Sequence, residues 1–297
     1  MRYLTIYSSL LFMAGLGCQM SPVPQKISHW HERAQREVPA IESLVQPGDI
    51  VFRLSNTQLA GGLVDFSKTI AKTTESYLSH AALVYHVGPD GAMIVDVTPN
   101  GVERRYLVDW YVQGTKNFCV KRLKPEYRFL IPQVLAELDK LIARDVLYDD
   151  KFVPDDDRFY CTELVDHCFR VLGYPLAPRI RIKDFPKYNL VMHTGILIGG
   201  IDNRNLAVIA GNERIGLFSS PMLETVIDFR GRSPEEIERL LPPTHLVKRS
   251  FRGGAAGSSV WPATNRHGYP RPAYAPSFEE EVPEQSADAS SNGKTAG

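Results

Sequence analysis

The sequence predicts an α+β fold in which neighbouring antiparallel strands form a sheet that packs against amphipathic helices. Short β-rich runs follow one another through turns and do not alternate with helices as in a parallel α/β fold. Two later segments, 134–142 and 161–172, carry apolar residues at helical spacing. The predicted strands are Ile50 to Leu54, Ala81 to Val87, Ala92 to Thr98, Gly101 to Tyr106 and Phe118 to Leu123.

Turn and cap residues bound the predicted elements. A short helix around Ile27 to Arg36 precedes a turn at Pro47-Gly48-Asp49, and Leu59 to Ala71 has helical spacing. Gly88-Pro89-Asp90-Gly91 predicts a hairpin, because Pro presets a turn and Gly accepts a positive φ. Near the C-terminus, Ser233-Pro234-Glu235-Glu236 has capping-box spacing and predicts a short helix.

The two longer helices have recognisable ends. Pro132 is tolerated in the first turn of the helix over 134–142, and Gly173 predicts the end of the helix that begins at Cys161. Further along, Ile196-Leu197-Ile198 and the following Gly199-Gly200 are compatible with a groove for an acyl chain, but a buried strand and a turn is the preferred interpretation.

The charge balance excludes some classes of function. Lys plus Arg and Asp plus Glu each number 34 in the 297 residues, so the formal net charge is zero and a nucleic-acid partner is not expected. The 43% hydrophobic and 23% charged residues are typical of a globular protein and exclude a multi-span membrane protein.

The N-terminal segment resembles an export signal. Residues 1–17 begin with a basic residue and continue as an apolar run that is shorter than the roughly 20 residues of a membrane-spanning helix. Gly17-Cys18 resembles the lipobox of bacterial lipoproteins, so Cys18 is the predicted lipid anchor, although Gly15 stands where that pattern prefers Leu. Cleavage without lipidation is the alternative. Because Gln19 is not the Asp that retains lipoproteins in the inner membrane, an outer-membrane lipoprotein facing the periplasm is expected.

The remainder of the chain is predicted to have three parts. Residues 18–46 form a linker with a short helix, and 47–250 suit a single domain. Residues 251–297 are rich in Pro and Gly and can bury little apolar surface, which predicts a disordered tail.

Cys161 is the sharpest chemical signal in the sequence. It stands at the start of an amphipathic helix, where unpaired N–H groups and the positive end of the helix dipole stabilise a thiolate and can receive an oxyanion. The alternative is that Cys161 is the first apolar residue of a buried helix face. If Cys18 is lipidated, three cysteines remain, and Cys119 and Cys168 are the ones expected to serve packing.

The sequence holds no recognisable metal site. Cys161 and Cys168 are two helical turns apart, about 10 Å, which is too far for a disulfide, and no cysteines have zinc spacing. The acidic runs 149–150 and 155–157 lack the spacing of an EF-hand, so turn formation and helix capping explain them better.

A nucleophilic cysteine needs a base, and His80 at the start of a strand is the candidate. With Pro89-Asp90-Gly91 as a three-residue loop, Asp96 and Thr98 both share the face of His80. Thr98 is nearer to His80 in this register, whereas Asp96 is the anion, and a β-bulge near the turn would bring it closer. Either residue can therefore orient His80.

Four motifs together resemble the circularly permuted papain-like amidases of the YaeF/YiiX group, relatives of the NlpC-type cell-wall peptidases. The motifs stand in the family's order, with His before Cys. They are Pro47-Gly48-Asp49-Ile50-Val51-Phe52-Arg53, Ser79-His80-Ala81-Ala82-Leu83-Val84, Val95-Asp96-Val97 and the run from Asp155 to Val165.

The resemblance implies an antiparallel sheet packed against a helix that carries the nucleophile, and no cofactor. It implies that Cys161 is the nucleophile, His80 the base and Asp96 the orienting acid, at a position where many members carry Glu. The expected function is an exported cysteine hydrolase that cleaves amide bonds, with peptidoglycan peptides as the first substrate class. The alternatives are a lipid-amide hydrolase or acyltransferase acting on N-acyl amino acids or lipids, and a noncatalytic binding lipoprotein of the cell envelope.

Overall fold

The computed structural model describes residues 27–55, 58–59, 64–113 and 117–242. Its α-helices are α1 (Ile27–Glu42), α2 (Phe66–Thr73), α3 (Leu107–Val112), α4 (Ile131–Ala143), α5 (Cys161–Arg170), α6 (Leu190–Ile198) and α7 (Pro234–Leu240). Short 3-10 helices span Pro125–Leu130, Ile182–Asp184 and Leu217–Ser219. The strands are β1 (Ile50–Arg53), β2 (Gln58–Leu59), β3 (Val64–Asp65), β4 (His80–Gly88), β5 (Gly91–Thr98), β6 (Gly101–Tyr106), β7 (Phe118–Leu123), β8 (Leu147–Tyr148), β9 (Arg158–Phe159), β10 (Ile180–Arg181), β11 (Leu206–Ala207) and β12 (Leu223–Asp228).

Six of these strands form one antiparallel sheet in the spatial order β12-β7-β1-β4-β5-β6. The hairpins β4-β5 and β5-β6 are local, whereas β1 pairs with β4 and with β7, which are distant in the chain. The other strands pair in twos, as β2-β3, β10-β11 and the parallel pair β8-β9. The α+β class and the antiparallel sheet predicted from the sequence are therefore confirmed.

Helices cover both faces of the sheet, which explains why its central strands are apolar at nearly every position. Along β1, Ile50 and Phe52 point to the face on which α4 and α5 pack, and Val51 points to the face of α1 and α3. The first face holds the larger cluster, with Leu164 and Val165 of α5 fully or almost fully buried. Within the described residues, no helix is long and apolar enough to span a bilayer.

Some elements differ from the sequence prediction. The first helix continues through Pro39 to Glu42, because Val38 and Ile41 are buried against the sheet and this packing outweighs the helix-breaking tendency of Pro. The helix predicted over 59–71 begins only at Phe66, and the short strands β2 and β3 occupy the start of that segment.

The strand predicted at Ile196-Leu197-Ile198 is wrong, since these residues end helix α6. Asn189 begins the helix, and its side chain accepts a hydrogen bond of 3.0 Å from the Met192 N–H. Met192 and Ile196 are four residues apart, so they lie on one helix face and are buried together. An isolated run of three apolar residues is compatible with the period of a helix and with that of a strand, and only this tertiary contact selects the helix.

The late capping box is present as predicted. The Ser233 hydroxyl accepts a hydrogen bond from the Glu236 N–H, and the Glu236 carboxylate accepts one from the Ser233 N–H. Gly173, three residues beyond the end of α5, has a φ of +86, in agreement with its predicted role in ending that helix. Residues 1–17, Cys18 and 251–297 lie outside the described residues.

Candidate active site

Cys161 and His80 meet where α5 begins, at one end of the main sheet. Cys161 is the first residue of α5, and His80 is the first residue of β4. The end of β1 lies beside them, with Arg53 opposite His80 in the strand pair. Both side chains line one cleft, and Cys161 is only 9% exposed.

The start of α5 is held in place by the segment 206–210. The Tyr160 hydroxyl accepts a hydrogen bond of 2.7 Å from the Val208 N–H, and the Thr162 hydroxyl donates one of 2.7 Å to the Val208 carbonyl. The backbone of Tyr160 is extended, and its side chain makes no capping hydrogen bond to the N–H groups of α5. The N–H groups of the first turn of α5 lie next to Cys161 and have no hydrogen-bond partner within the helix.

The surroundings of Cys161 favour the thiolate. Burial by itself raises the pKa of the thiol, but the charge of His80, a hydrogen bond from His80 and one from the Ala81 N–H outweigh that effect. The pKa of Cys161 consequently lies below its ordinary value of 9.0. A lowered thiol pKa is typical of a reactive cysteine.

Asp96 holds the other side of the His80 imidazole. His80 Nε2 and Asp96 Oδ1 are 2.8 Å apart, so Nδ1 is the ring nitrogen left for Cys161. Burial lowers the pKa of His80, but the carboxylate of Asp96 and the Cys161 thiolate together raise it to about 9. The lowered pKa of Cys161 and the raised pKa of His80 both favour a thiolate–imidazolium pair.

A β-bulge brings Asp96 to the face of His80. The hairpin loop is one residue shorter than predicted, since Gly88 pairs with Gly91. That register alone would turn Asp96 to the face opposite His80. A bulge at Tyr85 shifts the register by one residue, so that Val84 pairs with Ile94. His80 lies four residues from Val84, and Asp96 lies two residues from Ile94. Both side chains therefore point to the same face of the sheet as this pair.

The structure distinguishes between the two candidates for the orienting group. Asp96 contacts His80, whereas the Thr98 hydroxyl accepts a hydrogen bond of 3.1 Å from the Asn100 N–H in the following turn. Asp96 is 1% exposed, and Oδ1 also accepts a bond of 2.8 Å from the Val97 N–H. The Asp96 carboxylate, and not the Thr98 hydroxyl, thus accepts the hydrogen bond of the imidazole.

Three side chains around Asp96 were not predicted from the sequence. Trp110 Nε1 donates a hydrogen bond of 2.9 Å to Asp96 Oδ2, and Arg105 approaches the same oxygen at 3.3 Å. The guanidinium of Arg53 lies 4.2 Å from the centre of the Trp110 ring and donates to the Trp110 carbonyl. Burial lowers the pKa of Arg53 to about 10, which leaves it charged at neutral pH. Trp110 gives no chemical signal in the sequence, because an apolar helix face alone would explain it.

The cleft encloses about 630 Å³, including space open to solvent. Ser55 and Ser79 lie on the side of His80, and the Ser79 hydroxyl accepts a hydrogen bond of 3.1 Å from the Ser55 N–H. Tyr148 also lines the cleft, and burial together with the charge of Cys161 raises the pKa of its hydroxyl, so the hydroxyl stays protonated. Tyr148 was not predicted from the sequence, since it lies in a two-residue strand with no periodic pattern.

The other described cysteines have no such environment. Cys119 and Cys168 are fully buried, and burial raises the pKa of both thiols. The Cys119 thiol donates a hydrogen bond of 3.2 Å to Asp228. All three described cysteines are free thiols, so Cys161 is distinguished from the others by its partners rather than by oxidation state.

The acidic runs form turns and ion pairs. Asp156 accepts a hydrogen bond from the Arg158 N–H, and Asp155 binds Arg179 through two contacts of 2.7 and 2.8 Å. The predicted turn formation is thus present, but these residues do not cap α5, because Tyr160 occupies its N-cap position. Among the described residues, no group of three or more His, Cys, Asp and Glu side chains could hold a metal ion.

Comparison with known proteins identifies a similar family, a similar sequence and a similar fold. The uncharacterized protein YiiX of Escherichia coli (strain K12) is 28% identical over 150 residues, which are 50% of this chain and 69% of that protein. The crystal structure of metalloprotein yiiX from Escherichia coli O157:H7 has a TM-score of 0.50 and 23% identity, and covers 62% of this chain and 98% of its own. The family model described as "Permuted papain-like amidase enzyme, YaeF/YiiX, C92 family" matches residues 44–184. The resemblance predicted from the motifs is thus confirmed, and residues 44–184 match the model of the permuted papain-like amidase family.

Proposed function

We propose that the chain is a cysteine amidohydrolase in which Cys161, His80 and Asp96 act as nucleophile, acid–base and orienting carboxylate. The observation that carries this proposal is the chain of contacts from Asp96 through His80 to Cys161, with the pKa of the thiol lowered and that of the imidazole raised. The match to the family model supports amide cleavage as the reaction.

The reaction has two halves. In the first, Cys161 Sγ forms a bond to the carbonyl carbon of the amide, the C–N bond breaks, and the His80 imidazolium gives its proton to the leaving amine. In the second, His80 takes a proton from a water molecule, whose hydroxide adds to the thioester carbon and releases the acid and the Cys161 thiolate. Asp96 keeps the imidazole in one orientation and balances its charge through both halves.

Two kinds of donor can stabilise the oxyanion of each tetrahedral intermediate. The first-turn N–H groups of α5, beginning with Cys161, have no intrahelical partner and lie beside the attacked carbon. The protonated hydroxyl of Tyr148 lines the same cleft and is a second donor. The described residues do not fit a metal site, and no step of this reaction uses one.

The location and the substrate are further proposals. The resemblance of residues 1–17 to an export signal and of Gly17-Cys18 to a lipobox supports a location in the cell envelope, where the peptide amides of peptidoglycan are the expected substrates. A second substrate class, lipid amides, is favoured by the apolar wall of the cleft, which includes Ile70, Phe152 and Phe185. A noncatalytic binding protein would retain the cleft but would not need a lowered thiol pKa at Cys161.

Activity and labelling of two cysteine variants test the proposal. We expect wild-type protein to be labelled at Cys161 by iodoacetamide at neutral pH and to hydrolyse either peptidoglycan fragments or N-acyl amino acids. Cys161→Ala should lose both labelling and turnover, whereas the matched control Cys168→Ala should keep both, because Cys168 lies in the core. Turnover that survives in Cys161→Ala would refute the assignment. Labelling without turnover of either substrate class would favour the binding protein.

A further inference from the structure

Two side chains contact the oxygen of Asp96 that does not face His80. Trp110 Nε1 donates a hydrogen bond of 2.9 Å to Asp96 Oδ2, and Arg105 approaches the same oxygen at 3.3 Å. The last torsion of an Asp side chain has only a broad preference, so contacts must fix the orientation of its carboxylate. A bond to Oδ2 therefore also determines where Oδ1 points.

The indole that makes this bond is fixed by tertiary contacts. Helix α3 has only six residues and is too short to be stable by itself. The Trp110 side chain is fully buried, and its ring packs edge-on against Phe118 with the ring centres 6.4 Å apart. On the side of the site, its ring centre lies 5.6 Å from that of the His80 imidazole. Trp110 therefore packs beside both His80 and Asp96.

Arg53 connects Trp110 to the sheet. Its guanidinium lies 4.2 Å from the centre of the Trp110 ring and donates a hydrogen bond to the Trp110 carbonyl. That carbonyl is one of the last four of α3, for which a helix by itself supplies no donor. Arg53 is 5% exposed and pairs with His80 across β1 and β4. One side chain thus links the end of β1 to the helix that contacts Asp96.

The charges around Asp96 keep it ionised. Burial raises the pKa of this carboxyl, but the charge of His80, its hydrogen bond, and the charges of Arg53 and Arg105 outweigh burial and lower the pKa. An ionised acceptor forms a strong hydrogen bond with the imidazolium only in a favourable direction. The charge alone is therefore not sufficient, and the orientation of the carboxylate matters as well.

We propose that Trp110 is a positioning residue for the catalytic pair, and that Arg53 acts through it by holding the indole N–H on Asp96 Oδ2. This inference rests on the proposed function, in which Asp96 orients His80. Without the indole N–H, Asp96 keeps its charge, but Oδ1 is held less firmly in line with His80 Nε2. The imidazolium is then less stable, and the Cys161 thiolate that pairs with it forms at a higher pH.

Replacement of Trp110 by Phe tests the first link, because Phe keeps an aromatic ring and removes the N–H donor. The measurement is the rate of iodoacetamide labelling of Cys161 as a function of pH, with thermal unfolding to establish that the variant is folded. We expect the midpoint of labelling to rise by about one pH unit, or about a tenfold slower rate on the rising limb. A folded Trp110→Phe protein with the wild-type midpoint would overturn the proposal.

Tyr111→Phe is the matched control on the same helix. Tyr111 is 8% exposed, and its hydroxyl donates a hydrogen bond to Glu37 of α1 and not to Asp96. This variant also removes one buried hydrogen bond from α3, so its thermal midpoint should fall while its labelling midpoint stays at the wild-type value. An equal rise of the labelling midpoint in both variants would show that a loosened α3 is the cause, and would contradict the proposal.

Arg53→Lys tests the second link and also provides a test if Trp110→Phe does not fold. Lys keeps the positive charge but lacks the planar group that stacks on the indole. We expect the labelling midpoint to rise, with no further rise when Arg53→Lys is added to Trp110→Phe, because the N–H that Arg53 holds is then absent. An unchanged midpoint in Arg53→Lys, or additive shifts in the double variant, would refute the action of Arg53 through Trp110.

The labelling assay needs no substrate, which separates this inference from the proposed function. If wild type hydrolyses neither peptidoglycan fragments nor N-acyl amino acids but the midpoint rises in Trp110→Phe, the positioning role stands and the proposed function fails. If wild type cleaves amides and the midpoint is the same in folded Trp110→Phe, the proposed function stands and the positioning role fails.

Discussion

Replacement of Asp96 by Asn tests the electrostatic basis of the site. Asp96 Oδ1 accepts hydrogen bonds from His80 and from the Val97 N–H, and Oδ2 accepts from Trp110 and faces Arg105. Asn has almost the same shape but only one acceptor oxygen. In either orientation its NH₂ group faces two donors, and no negative charge remains next to the imidazolium.

The expected magnitude follows from the pKa of His80. Burial alone would hold it below 6.5, and Asp96 is the larger of the two groups that raise it to about 9. Loss of Asp96 should therefore destabilise the thiolate–imidazolium pair by about 2 to 3 kcal/mol, or roughly 30- to 150-fold. The attraction between Asp96 and His80 is stronger than that between the Cys161 thiolate and His80, which in turn is stronger than the repulsion between Asp96 and the thiolate. The repulsion therefore does not reverse the sign.

The assay is the rate of iodoacetamide labelling of Cys161 as a function of pH. We expect Asp96→Asn to label much more slowly at pH 7 and to recover at higher pH, where the thiol ionises without a charged His80. Thermal unfolding establishes that the variant is folded. Asp139→Asn removes a carboxylate that is half-exposed and paired with Arg104, and it should leave the profile unchanged. A folded Asp96→Asn protein with the wild-type profile would refute the reasoning.

Two further predictions concern stability. Burial raises the pKa of Glu163 to about 8, so the folded chain binds this proton more tightly than the unfolded chain, and the free energy of unfolding falls as pH rises from about 4.5 through 8. Glu163→Gln should raise the free energy of unfolding by about 2–4 kcal/mol at pH 9 and by little near pH 4.5, measured by urea unfolding. Equal gains at both pH values would contradict the burial of Glu163 as the cause. Gly101 has a φ of +102, and a Cβ there would lie 2.2 Å from the Val146 carbonyl oxygen, so Gly101→Ala should lose about 2 kcal/mol or more. An unchanged thermal midpoint would show that this turn relaxes freely.

Local patterns were sufficient for much of the fold. The strands over 101–106 and 118–123 have the predicted bounds, because each begins and ends at turn residues that act within a few positions. The capping box at Ser233 is likewise local, since both of its hydrogen bonds join residues three apart. Where tertiary packing competed with a local preference, as at Pro39, the local prediction failed.

The site shows the same division. The types of Cys161 and His80, and the helix start at Cys161, could be read from the chain because nucleophile and base need particular side chains. Whether Asp96 or Thr98 faces the imidazole could not be read from the chain, because a shift of one residue in the strand register moves every side chain to the opposite face of the sheet. The bulge at Tyr85, which decides this, depends on how the whole hairpin packs.

The sequence by itself determined the chemistry available to this protein: an antiparallel α+β framework, a cysteine at a helix start, a histidine at a strand start and the order of the family's motifs. Only the tertiary structure decided that Asp96 rather than Thr98 contacts His80, that Trp110 donates a hydrogen bond to the same carboxylate, and that apolar side chains line one wall of the cleft. The physical reason is that side-chain type and local periodicity act over a few residues, whereas these contacts join segments far apart in the chain through packing of the sheet and its helices.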